Sequence, residues 1–290
     1  MCQYGLTTAL DMGTWPYSQT ATCWSISGAT DVRDSSAGGC FNSSGLSQFP
    51  GFPIDHFIPT PYAGQKFVAA RVAEGVEHIK IFQDPTGPDK ATVAAAAHAA
   101  HVVGKQVIAH SVLYHKYDLD TRSGVENPIH IPLDVLLNAS IISALQSGNQ
   151  AVSPTLYAMQ AIVNMTGLYP AAYTVASQIS VAAMYKAGMA IVVGSATNQL
   201  LFTPVKIPFG DLLHDELELL VQAGLSEVDA IRAATDRVAT AFRIYDREVI
   251  KNGFRADSVL LGADPTTSIR NSRSIQKVWI AGVEVDVAGS

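Results

Sequence analysis

The chain has 290 residues, 48% of them hydrophobic and 15% charged, with a formal net charge of −6. That length suits one large α/β core, and the acidic balance excludes a nucleic-acid partner, which needs a basic face. No apolar run reaches the roughly 18 residues of a membrane span, and the opening Met1-Cys2-Gln3-Tyr4-Gly5 has no secretory pattern. A cytoplasmic protein acting on a small-molecule substrate, with no membrane or nucleic-acid partner, is the expectation. Cys2, Cys23 and Cys40 lack metal-type spacing and read as reduced thiols.

The stretch from Ser18 to Pro61 is rich in Ser, Gly, Pro and Thr with little periodicity. It reads as a short strand near Trp24–Ala29 and then a long loop, with Trp24, Phe41, Phe49 and Phe52 as an aromatic lid. From residue 64 onward strand-like and helix-like segments alternate. Helices are predicted at Gln65–Ala73, at Ala91–Val103 with Gly104 as its stop, at Val135–Gln146, and at Ala171–Ala187 with Gly188 as its stop. Strands are predicted at His78–Phe82, Gln106–His110, Ile129–Ile131, Ala151–Ser153 and Met189–Ser195. Helices Leu212–Ala223 and Glu227–Phe242 follow, the second capped by Ser226. Short strands at Asp257–Leu261, Lys277–Ala281 and Val283–Val287, with Gly282 in the last turn, finish the chain. The βα alternation favours a parallel sheet, and this many units favour a barrel.

Chemistry-bearing side chains stand in or at the ends of these strands. Lys80 lies in the apolar run His78-Ile79-Lys80-Ile81-Phe82, where a buried ammonium is costly. It either snorkels to a carboxylate at the strand end or is a desolvated amine able to react with carbon dioxide as a carbamate. His110 ends Val107-Ile108-Ala109-His110, and His130 sits in Ile129-His130-Ile131-Pro132. Each alone reads as a hydrogen-bonded core histidine or a ligand; their recurrence at successive strand ends favours an active-site face. His115 could contact a substrate or act as an acid–base, and His214 could support the site from the start of a helix. His98 and His101, at i and i+3 among alanines, read as an outer helix face. No G-x-S-x-G, H-E-x-x-H, P-loop or dinucleotide fingerprint occurs.

The chain resembles the amidohydrolase superfamily, in its imidazolonepropionase-like and prolidase-like branch. The resemblance is carried by Tyr4-Gly5-Leu6-Thr7-Thr8-Ala9-Leu10-Asp11-Met12-Gly13, His78-Ile79-Lys80-Ile81, Ile108-Ala109-His110-Ser111 and His130-Ile131-Pro132-Leu133-Asp134. It continues in Pro154-Thr155-Leu156, His214-Asp215-Glu216-Leu217-Glu218-Leu219-Leu220, Ile231-Arg232-Ala233-Ala234-Thr235, Arg255-Ala256-Asp257-Ser258-Val259-Leu260-Leu261 and Val278-Trp279-Ile280-Ala281-Gly282. It implies an α/β fold: a distorted, incomplete (β/α)8 TIM-like barrel over 1–245, lacking the first strand, and part of a small β-sandwich over 246–290. Uncovered sheet edges would then favour homo-oligomers.

The resemblance also implies a metal-dependent hydrolase with up to two metals. Lys80 matches the bridging, usually carboxylated lysine, and His110 and His130 match the histidines of the next two strands. The family's His-x-His pair is absent from this sequence, and Ala196 stands where the family's eighth-strand aspartate would be. One divalent metal, zinc by resemblance, held by Lys80, His110 and His130, or none, is therefore expected. The implied activity is hydrolysis of a C–N bond in a non-peptide amide, cyclic amide or dipeptide, with impaired or altered chemistry. The alternative is a repurposed scaffold: a metal-free lyase, cyclase or isomerase, or a small-molecule-binding pseudoenzyme.

Overall fold

A computed structural model of the chain describes residues 1–13, 31–37, 56–83, 87–197, 205–247 and 249–287. The expected strand at Trp24–Ala29, the aromatic lid of Trp24, Phe41, Phe49 and Phe52, and the thiols of Cys23 and Cys40 lie outside them. The described residues fall into two units, one of 10–13 and 33–152, the other of 1–9, 31–32 and 153–287.

The first unit is built on a mixed α/β pattern. Its sheet has the order β1-β2-β3-β4-β5, with β1 at Thr8–Asp11, β2 at Asp31–Ala37, β3 at His78–Phe82, β4 at Gln106–His110 and β5 at Asn127–Ile129. Pairings from β2 through β5 are parallel, with His78 opposite Gln106, Lys80 opposite Ile108, and Phe82 opposite His110. Strand β6, Ala151–Val152, continues from here, and the Ala151 amide donates to the Glu126 carbonyl at 3.2 Å. The strand within 31–37 breaks the long loop expected between Ser18 and Pro61.

Alternation decides which face of this sheet is dry. Ile79, Ile81, Val107 and Ala109 share one core cluster with Phe67 and Val68 of the helix Pro61–Ala73 and Val93, Ala96, Ala97 and Ala100 of the helix Lys90–Val102. The period of two in a strand then places His78, Lys80 and Phe82, with Gln106, Ile108 and His110, on the opposite face. The helices start where short polar side chains cap them. Thr60, Asp89 and Asn138 accept from Ala63, Thr92 and Ile141 amides, the last opening the helix Ala139–Ser147. Gly104, at φ 75, takes the left-handed turn that the sequence assigned to it.

A helix at Tyr114–Thr121 was not among the predicted elements. Its sequence, Tyr-His-Lys-Tyr-Asp-Leu-Asp-Thr, is polar enough to look like loop, yet Tyr117, Asp120 and Thr121 form a buried i, i+3, i+4 stripe.

The second unit is mainly helical, with a small antiparallel sheet. Helix Leu156–Thr166, also unanticipated, precedes a segment predicted as one helix from Ala171 to Ala187. That segment is Pro170–Val175 and Val181–Lys186 joined by a π-helical turn at Ala176–Ser180. Strand β7 is confined to Ala190–Ile191, and the Val193 amide beyond it donates to the Ala233 carbonyl at 3.0 Å. Helix Leu212–Gln222 agrees with its expected span to one residue. The expected helix 227–242 is two, Glu227–Ala233 and Asp236–Ala241, broken at Thr235 (φ −128, ψ −100). Ser226 caps the first, accepting from the Asp229 amide at 3.1 Å. Strands β8 (Ser258–Leu261), β9 (Ile275–Ile280) and β10 (Val283–Val285) form a three-stranded sheet, with Gly282 at φ 80 in the β9–β10 turn. Among the described residues no helix is long and apolar enough to cross a membrane.

Candidate active site at the ends of three parallel strands

Lys80 stands in β3 with only 5% of its surface exposed, a degree of burial rare for a lysine. Burial draws its ammonium pKa from 10.5 down to about 7, and the charge of Asp120 acts the other way. The free amine is thus well populated at neutral pH, as carbamate formation requires.

His110, the last residue of β4, lies over Phe82, the last of β3, with ring centroids 3.9 Å apart and planes 13° apart. Their stacking follows from their direct pairing in the parallel register. His130 begins just past β5, and its φ of 78 places a non-glycine residue in the left-handed region. Such a conformation costs on the order of 1–3 kcal/mol and concentrates at functional sites. Here it accompanies a direct contact between the two rings: His130 Nε2 and His110 Nδ1 are 2.7 Å apart.

Both imidazoles are neutral at physiological pH. Burial pushes His110 well below its ordinary value, with His130 and Lys80 adding to the effect. Burial, then Lys80, takes His130 from 6.5 to about 3. Lys80 and His110 therefore share one sheet face, and His130, just past β5, meets His110 ring to ring, each of the three within electrostatic reach of another. These are the three residues the strand pattern singled out.

Of the remaining candidates, His115 belongs to this unit and His214 and Ala196 to the other. His115 is exposed, in the first turn of the Tyr114–Thr121 helix. His214, in the other unit, is buried and held on both ring nitrogens. Its Nε2 donates to the Tyr4 carbonyl at 3.2 Å, which leaves Nδ1 to accept from the Ser272 hydroxyl at 2.9 Å. Burial lowers its pKa, with Arg273 adding to the effect, and the ring ties the Leu212–Gln222 helix to the two 3-10 turns Cys2–Tyr4 and Ile269–Arg273. Ala196, also in that unit, is partly exposed at φ 48. Gly194 is there because a side chain would collide with the Ser153 hydroxyl.

Two buried carboxylates went unsingled in the sequence. Asp120 accepts from Gln83 Nε2 at 2.7 Å and from the Ser111 hydroxyl. Glu216 accepts from the Leu156 and Tyr157 amides, both at 2.8 Å, at the start of the Leu156–Thr166 helix. Only a helical stripe through Tyr117 and Asp120, or through His214, Glu216, Leu217 and Leu220, would have marked them as inward-facing.

The donor chemistry of the cluster fits a divalent metal. Metal ligands must be deprotonated, and here two imidazoles are held neutral and an amine is held near neutrality. Among the described residues no group of three or more His, Cys, Asp or Glu side chains is placed to hold a metal ion; His110 and His130 make two, and Lys80 is of another type.

No protein-family model matches the sequence, and no curated protein sequence does. Solved structures do. A Xaa-Pro dipeptidase with bound methionine is 18% identical, with a TM-score of 0.81 over 97% of this chain and 75% of that one. A prolidase complexed with N-methylphosphonate-L-proline is 18% identical, with a TM-score of 0.76 over 99% and 77%. Phenylurea hydrolase B is 18% identical, with a TM-score of 0.78 over 99% and 75%. All three belong to the amidohydrolase superfamily whose motifs the sequence resembles. At these identities the likeness establishes a shared fold.

Proposed function

We propose that this chain is a metal-dependent hydrolase of the amidohydrolase type that cleaves a C–N bond in a non-peptide amide, cyclic amide or dipeptide. The observation that carries this reading is the convergence of buried Lys80 and His110 on one sheet face with His130, which contacts His110 from just past β5, burial disfavouring the charged form of all three. The fold shared with a dipeptidase, a prolidase and a phenylurea hydrolase supports it. The reading includes a distorted (β/α)8-type barrel over 1–245, a small β-sandwich portion over 246–290 to which β8–β10 belong, and a cytoplasmic setting. Lys80, as amine or carbamate, with His110 and His130 would hold one divalent cation, zinc by resemblance. Such an ion lowers the pKa of bound water and polarises a carbonyl.

The chain's own residues set the conditions for that chemistry. Burial keeps the two imidazoles unprotonated and so competent as ligands. Phe82 covers one face of His110, fixing the ring and excluding water from that side. No carboxylate occupies the Ala196 position, so proton removal from water falls to another group, and turnover should be slow by about two to four orders of magnitude unless one substitutes.

Hydrolysis of N-acyl amino acids, hydantoin-type cyclic amides and Xaa-Pro dipeptides should therefore be detectable. It should disappear on stripping with a chelator and return with Zn2+ or Co2+. Retention of full activity after stripping would instead favour the second reading, a metal-free lyase, cyclase, isomerase or ligand-binding scaffold. The charge of Asp120 acting on Lys80 is the observation that favours that second reading, because an ammonium and a carboxylate offset each other without a metal.

A further inference from the structure

Asp120 is the buried anion of this unit's site, with none of its surface exposed. It projects from the Tyr114–Thr121 helix, and its two oxygens engage different strand ends. Gln83, which donates to one, follows Phe82 at the end of β3; Ser111, which donates to the other, follows His110 at the end of β4. The Gln83 amide also donates to the His110 carbonyl at 3.0 Å. Through these bonds one carboxylate clamps the two strand ends whose last side chains, Phe82 and His110, stack on each other.

The surroundings are polar beyond that clamp. Tyr117, one turn earlier on the same helix, is wholly buried, and neither its hydroxyl nor the buried Gln83 Oε1 has a hydrogen-bond partner among the described residues. Taking a carboxylate out of water costs several kcal/mol unless hydrogen bonds and an opposite charge offset it. Gln83 and Ser111 supply the bonds. The opposite charge is to be found in the electrostatic reach of Lys80 and of a cation held beside it.

We infer that Asp120 is a positioning residue of the metal site: through Ser111 and Gln83 it fixes the strand end that presents His110, and its buried negative charge favours a cation there. This rests on the reading of Lys80, His110 and His130 as metal-binding. Partners that hydrogen-bond a ligand directly change metal affinity about 10–100-fold when lost; Asp120 acts one step further out, through Ser111 and Gln83, so the lower end of that range, about tenfold, is expected.

The test is a Co2+ titration of the full chain in bicarbonate buffer, followed by visible absorption, for wild type, Asp120→Asn, Ser111→Ala and Gln83→Met. Asp120→Asn keeps the shape, removes the charge and turns one acceptor into a donor. It should bind Co2+ about tenfold more weakly and with altered band intensities, while melting near the wild-type temperature. Ser111→Ala keeps the charge and should shift the bands with a smaller loss of affinity. A folded Asp120→Asn protein with wild-type affinity and spectrum overturns the inference. Should that variant not fold, wild-type binding by both Ser111→Ala and Gln83→Met overturns it instead. Failure of the wild-type chain to bind Co2+ removes the metal reading itself and this inference with it, so the two failures are told apart.

Discussion

Replacing Lys80 with methionine is expected to abolish C–N hydrolysis while leaving the fold intact. Methionine fills a similar volume on the interior face of β3 without a buried amine, so packing against Ile108, its register partner, is kept. What is lost is the nitrogen that, with His110 and His130, would hold the metal. Lewis-acid stabilisation of a developing oxyanion is worth several kcal/mol, and about 4 kcal/mol corresponds to roughly a thousandfold in rate. The Lys80→Met protein should therefore turn over at least about a thousandfold more slowly, with wild-type circular dichroism. Activity within tenfold of wild type would remove Lys80 from the mechanism.

The second large effect concerns stability and lies in the other unit. Glu216 is wholly buried, and burial raises its carboxyl from 4.5 to about 7, against the opposing pull of the Tyr157 and Leu156 amides. Because the folded chain keeps this proton at a pH where the unfolded chain has released it, the native state binds more protons between about pH 4.5 and 7. Glu216's protonation therefore favours the fold fully below pH 4.5, and that contribution fades as pH rises through 7, by on the order of 3 kcal/mol. Denaturant melts at pH 5 and pH 8 should show the decline, and Glu216→Gln should flatten it. Glu216→Ala should be costlier at any pH in this range. It strands the Leu156 and Tyr157 amides at about 1–3 kcal/mol each, a large share of a typical domain's stability. A Glu216→Ala protein that unfolds at the wild-type denaturant midpoint would show that the carboxylate is not the cap of that helix.

The core of the candidate site was legible in the sequence for a definite reason. Lys80 and His110 sit in apolar strands whose ends the structure reproduces residue for residue, His78–Phe82 and Gln106–His110, so alternation alone put them on one face. His130 was legible as a strand-end histidine, but not its conformation. The strand stops at Ile129, and no residue type around it announces a left-handed turn. Asp120 and Glu216 were hidden because a carboxylate on a polar helix reads as a solvated one, and only tertiary hydrogen bonds make it an interior residue. The break at Thr235 was equally silent, since Ala-Ala-Thr-Asp-Arg carries neither Pro nor Gly. The strands His78–Phe82 and Gln106–His110 agree to the residue, whereas the apolar run predicted as a strand over Met189–Ser195 forms one only at Ala190–Ile191, and the helix predicted from Val135 begins at Ala139.

If Lys80, His110 and His130 together hold a metal, elemental mass spectrometry of the purified chain will find about one zinc or similar divalent ion per chain in the wild type, and that ion will be lost in Lys80→Met, His110→Ala and His130→Ala. A wild-type chain that carries no metal, even after refolding with Zn2+ in bicarbonate, would contradict that assignment.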